Sequence, residues 1–96
     1  MGTITLNIEA CFYIYYLTSG TTNNCGEEVG STPYYAAEYG YNLVTKFYTN
    51  SSLTSVYSPG AGTVGINMVS GPITLAAYTA DIDVSGNISN ATPCGA

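Results

Sequence analysis

The chain is 96 residues long, with 6 Asp and Glu against a single basic residue and no His, a formal net charge of -5, 10 Tyr and only 7% charged residues. Its length suits one domain and not two. With no basic surface it lacks the phosphate neutralisation on which nucleic-acid affinity depends, and no apolar run approaches the ~20 residues of a membrane-spanning helix.

Most soluble domains carry about 25% charged residues. A surface this poor in charge and this rich in Tyr, Thr, Ser and Asn resembles a protein interface, whose core loses charge and gains aromatic rings.

Residues 3–16 alternate almost without error. Ile4, Leu6, Ile8, Ala10, Phe12 and Ile14 fall on one side, and Thr3, Thr5, Asn7, Glu9, Cys11 and Tyr13 on the other. This pattern predicts a β-strand. Fully extended it would reach about 45 Å, well beyond the usual strand of roughly 5 to 6 residues, so it must bend, break or reach outside its own domain. Read as an arm, residues 1–17 offer Ile4, Leu6, Ile8, Phe12 and Ile14, with Tyr13 and Tyr15, as an assembly interface that pairs at least partly with a neighbouring subunit. Met1 leads straight into this strand without the basic start, apolar stretch and cleavage site of a secretory signal, so synthesis in the cytoplasm is expected.

Residues 18–32 are rich in Gly, Thr, Ser and Asn and predict an exposed loop. The three cysteines, Cys11, Cys25 and Cys94, are an odd set with no zinc-site spacing, so at least one is free or pairs between chains. A Cys11 to Cys25 hairpin bridge is the pairing the sequence suggests.

Residues 34–41 mix Ala36, Ala37 and Glu38, which favour a helical turn, with tyrosines that favour strand; a short helix or irregular segment is expected. Strand-like runs follow at 43–49, 53–57, 63–69, 73–79 and 80–84, separated by Asn-, Ser-, Pro- and Gly-rich turns. Short strands at this spacing predict an all-β fold, a single small β-sandwich of Ig-like or jelly-roll-like type, with residues 33–96 supplying the remaining strands after the N-terminal arm. No repeat of 20 to 50 residues and no heptad pattern is present.

Asp81, Asp83 and Ser85 stand at the first, third and fifth positions of a calcium-loop spacing with Gly86 at the sixth, but Thr92 occupies the twelfth, where a bidentate Glu is wanted. The alternative is a β-hairpin, with Ile82 and Val84 facing the core, Asp81 and Asp83 facing solvent, and Ser85-Gly86-Asn87 turning into Ile88. Asn50, Asn87 and Asn90 each begin a glycosylation acceptor pattern, which in a chain this rich in Asn, Ser and Thr also arises by chance.

Tyr13, Tyr15, Tyr34, Tyr35, Tyr39 and Tyr41 are numerous enough to build a platform for surface glycans; half-buried positions on strand faces and subunit contacts are the alternative use. For catalysis the inventory is thin. There is no His, Lys46 has no evident partner, no motif surrounds a Ser or Cys nucleophile, and Glu9, Glu27, Glu28, Glu38, Asp81 and Asp83 lie mostly in expected loops or on outward faces. A non-enzymatic protein without a cofactor is expected.

The second half, from Phe47-Tyr48-Thr49-Asn50-Ser51-Ser52-Leu53-Thr54 through Gly60 and Gly62 to Ile82-Asp83-Val84-Ser85-Gly86-Asn87-Ile88 and Cys94, resembles short β modules in phage and surface proteins of Bacteroidetes. The resemblance covers about half the chain, brings no catalytic residues, and implies a tail, fibre or decoration component; residues 1–41 do not share it. A bacteriophage virion subunit that binds itself or neighbouring structural subunits is therefore expected. The alternatives are a glycosylated extracellular filament subunit built by strand exchange and a carbohydrate-binding module.

Overall fold

A computed structural model describes residues 12–68 and 75–94. These form an all-β fold of five strands: β1 (Tyr13–Leu17), β2 (Pro33–Ala36), β3 (Gly62–Asn67), β4 (Tyr78–Ile82) and β5 (Ile88–Pro93). They lie in one sheet, ordered β2-β1-β3-β4-β5, with every neighbouring pair antiparallel. Two facing sheets were expected; among the described residues there is one, and no helix.

The sheet is drawn together at its margins by a single segment. Tyr48 exchanges both main-chain hydrogen bonds with Tyr35 of β2, at 2.7 and 2.9 Å, while the Ile88 amide at the start of β5 donates to the Thr45 carbonyl at 2.8 Å. Residues 45–48 thus connect β2 to the start of β5 across one side of the sheet. Between the two attachments Phe47 points inward and is fully buried.

The sheet and this segment pack Tyr15, Leu17, Ala36, Val44, Val64, Ile66, Ala80, Ile82 and Ile88 with Phe47 into one buried core. Each fully buried Val, Leu or Ile side chain contributes about 1.5–3 kcal/mol relative to exposure. The Phe47 ring meets Tyr15 edge-on at 5.2 Å.

Residues 18–32 contain no strand, as expected of a loop, yet they are tied down. Thr18 accepts the Gly65 amide on its hydroxyl at 2.8 Å and donates its own amide to the Gly65 carbonyl at 3.0 Å. Ala76 donates to the Glu27 carbonyl, and Cys25 is disulfide-bonded to Cys94, with Cα atoms 5.3 Å apart. The expected Cys11 to Cys25 bridge is thereby corrected. The turn at residues 24–27, with Gly26 at φ 84°, carries Cys25 across to the end of β5, where the Cys94 amide is held on the Ala77 carbonyl. Cys11 lies outside the described residues.

Residues 34–41 divide: Tyr34, Tyr35 and Ala36 continue β2, and residues 37–43 form bends and turns. The runs at 43–49 and 53–57 make a hairpin held by isolated bridges, its turn organised by Asn50, whose side-chain oxygen accepts the Thr54 and Ser55 amides at 3.1 and 3.0 Å. Residues 63–67 of the run at 63–69 lie in β3, and residues 78–79 and 80–82 of the runs at 73–79 and 80–84 form β4; positions 69, 73 and 74 lie outside the described residues. β5 is the second arm of the hairpin that turns at Ser85-Gly86-Asn87 into Ile88.

Candidate assembly face

β1 carries the residues that separate the inside of the sheet from the outside. Side chains alternate along a strand. Tyr15 and Leu17 are buried at 1% and 3% exposure, whereas Ile14 and Phe12 are 42% and 40% exposed. Phe12 and Ile14, the described residues of the apolar parity, are therefore on the outward side. In the sequence Ile4, Leu6, Ile8 and Ala10 share the parity of Phe12 and Ile14; Ile4, Leu6 and Ile8 themselves lie outside the described residues.

Of the expected assembly residues, Phe12, Tyr13 and Ile14 are together at the surface. They line a cleft of about 340 Å³ with Tyr15, Tyr16, Tyr39 and Met68. Phe12 meets Tyr35 edge-on at 5.2 Å, and Tyr13 lies against Tyr39 at 5.1 Å. Tyr39 and Met68, which complete the cleft, come from a turn and from the residue after β3; residue spacing gives no signal for either.

Tyr15, also among the expected assembly residues, borders the cleft, but its side chain is 1% exposed and belongs to the core. Its hydroxyl donates to the Glu38 carbonyl at 2.8 Å and accepts the Gly40 amide at 3.0 Å, which fastens the turn after β2 onto the sheet. Burial pushes the Tyr15 hydroxyl pKa up, opposed by the Gly40 hydrogen bond. Burial raises Tyr57 as well, with the adjacent Tyr34 hydroxyl adding to the effect.

The six tyrosines considered as a glycan platform do not form one flat surface. Tyr41 stacks on Tyr78 at 3.9 Å and 15°, Tyr34 tilts against Tyr57 at 4.5 Å, and Tyr35 meets Phe12. Tyr13 and Tyr39 are inclined at 57°, and Tyr15 is internal. Their rings are used pairwise, largely against other rings of the same domain.

The segment with calcium-loop spacing is a hairpin between β4 and β5. Asp83 accepts the Ser85 and Asn87 amides on Oδ1, each at 2.9 Å, and the Asn87 side-chain amide on Oδ2 at 2.9 Å. These bonds, led by that from the Asn87 side chain, hold the Asp83 carboxyl below the usual carboxylate range. Asp81 accepts from the Asn90 side chain at 2.8 Å. No cluster of three or more metal-binding side chains occurs among the described residues. One detail of the hairpin reading needs correction: Ile82 is buried, but Val84 is 74% exposed, because the chain leaves the strand at Asp83 and turns there.

The three acceptor asparagines also have structural partners. Asn50 donates its side-chain amide to the Thr54 hydroxyl at 2.6 Å, Asn87 to Asp83 and Asn90 to Asp81. Asn90 sits at φ 52° in a bulge, where three steps of β5 from Ser89 to Thr92 oppose two of β4 from Asp81 to Thr79.

No protein-family model, no curated protein and no solved structure matches this chain.

Proposed function

We propose that the protein is a non-enzymatic structural subunit that assembles with copies of itself or with neighbouring structural subunits, as a capsid-decorating, tail or fibre component of a bacteriophage virion. The observation that carries this reading is the outward position of Phe12 and Ile14. Exposed apolar side chains at the head of β1, which in the sequence continue an alternation that begins at Ile4, call for a second apolar surface. Low charge and abundant Tyr support an exterior that meets protein. The resemblance of residues 47–94 to phage β modules supports the virion setting.

Light scattering coupled to negative-stain microscopy of the full chain tests the reading. An ordered oligomer, shell or filament is expected; a monodisperse species at the 10.0 kDa chain mass would overturn it.

A second reading, an extracellular filament subunit, is favoured by the Cys25 to Cys94 disulfide, since such bonds persist in oxidising surroundings. Mass spectrometry of native material separates the two: glycan mass on Asn50, Asn87 or Asn90 supports the filament, and unmodified chain in purified particles supports the virion.

A further inference from the structure

We infer that Tyr41 and Tyr78 are the site of a dityrosine cross-link, formed within one chain by a peroxide-driven one-electron oxidant such as a haem peroxidase. The link goes beyond the assembly reading and does not depend on it.

The two rings stack with centroids 3.9 Å apart and planes 15° from parallel. Aromatic pairs usually sit about 4.5–7 Å apart, so this contact is unusually close. Its facing ring carbons are at van der Waals separation, about 3.5–4.0 Å. Sliding within the stack is enough to bring together the carbons ortho to the two hydroxyls. The other tyrosine pairs are less suited: Tyr34 and Tyr57 are 4.5 Å apart at 47°, and Tyr13 and Tyr39 are 5.1 Å apart at 57°. Those rings must turn before their edge carbons can join.

Main-chain bonds hold both partners in place. Tyr41 follows Gly40, whose amide donates to the Tyr15 hydroxyl at 3.0 Å and whose carbonyl accepts the Leu43 and Val44 amides at 3.0 and 3.2 Å. Tyr78 opposes Ile66 of β3 and Pro93 of β5, and the neighbouring Ala77 donates to the Ile66 carbonyl at 2.9 Å. Reactants fixed in this way have little freedom left to lose when they join. Both residues are half-buried, so part of each remains open to solvent.

The composition directs oxidation to tyrosine. The chain has no Trp and no His, the other rings that readily give up an electron, and Cys25 and Cys94 are already joined in their disulfide. Such a disulfide persists in oxidising surroundings, where an oxidant for tyrosine is also to be met.

In the reaction each phenol gives up one electron and its hydroxyl proton, and the two phenoxyl radicals pair to form one bond between ortho carbons. The hydrogens on those carbons move to the oxygens and restore both phenols. Hydrogen peroxide takes the two electrons and two protons and leaves as two waters, so the chain becomes lighter by two hydrogen atoms. The new bond joins the turn after β2 to β4, which are not neighbours in the sheet, and unlike the disulfide it survives reductant.

The test uses the full chain, as a mixture of 14N- and 15N-labelled protein, oxidised with a haem peroxidase and hydrogen peroxide, then unfolded, reduced and cut with trypsin. Lys46 is the sole basic residue, so trypsin divides the chain into residues 1–46 and 47–96, with Tyr41 and Tyr78 in different halves. Mass spectrometry should find halves of one isotope joined, lighter by two hydrogen atoms, with the link at positions 41 and 78. Tyr41→Phe and Tyr78→Phe should each abolish this product, and Tyr34→Phe should leave it. Halves that separate completely, halves joined through Tyr34 and Tyr57 instead, or halves joined across isotopes would each overturn the inference.

Discussion

Ile14 and Tyr15 are consecutive residues of β1 with opposite surroundings: the Ile14 side chain is 42% exposed beside Phe12, and the Tyr15 ring lies against Phe47 in the core at 1% exposure. The pair marks the boundary between what the domain buries for its own stability and what it leaves exposed, where the proposed assembly contact lies. Substitutions on its two sides should separate folding from assembly.

Ile14→Thr should therefore leave the unfolding free energy of the dissociated chain within about 0.5 kcal/mol of wild type, as at most surface positions. Tyr15→Ala should cost about 3–5 kcal/mol, as for other large aromatic deletions in cores. Urea unfolding of both variants at low protein concentration checks this, and comparable losses would show that the two side chains are not on opposite sides of the sheet.

The Tyr15 hydroxyl serves two main-chain groups of the turn after β2, Glu38 O and Gly40 N. Tyr15→Phe keeps the ring but leaves both without that partner, at a cost of about 1–3 kcal/mol. The raised pKa has a pH consequence. The native state holds the Tyr15 proton to higher pH than the unfolded chain does, so the associated stability is fully present below the ordinary tyrosine value near 10 and is lost as pH rises through the folded value. Tyr57 contributes in the same direction. Denaturant midpoints measured from pH 8 to pH 11 should fall at the alkaline end, and less steeply in Tyr15→Phe.

The Cys25 to Cys94 bridge closes a loop with a sequence separation of 69 residues. Loop-closure entropy for that length is worth about 4 kcal/mol, a large share of the stability of a domain this small. Reduction, or Cys94→Ser, should lower the melting temperature by about 15 °C or more. A melt unchanged by reductant would show that the main-chain bonds of Ala76 and Cys94 hold the loop without the covalent link.

The all-β class, the strand at 63–69 and the hairpin alternative for the Asp83 turn were legible in the sequence because each rests on local alternation or turn chemistry. The extent of β5 was not: the hairpin turn leads into Ile88, but Ile-Ser-Asn-Ala-Thr-Pro contains one large apolar residue and has no alternation of its own, and β4 and Asp83 hold it in register. The candidate assembly face was half legible. Alternation identified Phe12 and Ile14 as one side of a strand, but the side facing the core depends on Tyr15 and Leu17, and a tyrosine with its hydroxyl tied to Glu38 and Gly40 buries as fully as a leucine. Disulfide choice among three cysteines needed the long-range path that brings Cys25 to the end of β5.

Gly65 offers a test of how closely the loop layer packs on the sheet. A methyl group at Gly65 would come within 2.6 Å of the Ala76 Cβ and 2.8 Å of the Thr18 Cγ2. Both atoms sit on segments that are themselves fixed: Ala76 by its bond to Glu27, and Thr18 by its two bonds to Gly65. Neither can retreat without losing a hydrogen bond, so Gly65→Ala should cost about 1–3 kcal/mol by overpacking. Ala76→Gly removes one clashing methyl, and Thr18→Ser removes the other while keeping the hydroxyl that accepts the Gly65 amide. In that double-variant background Gly65→Ala should cost clearly less than in wild type, a coupling that a thermodynamic cycle of denaturant unfolding measures directly. Equal costs in the two backgrounds would mean that the loop layer moves as a unit and that its contact with β3 is looser than these distances indicate.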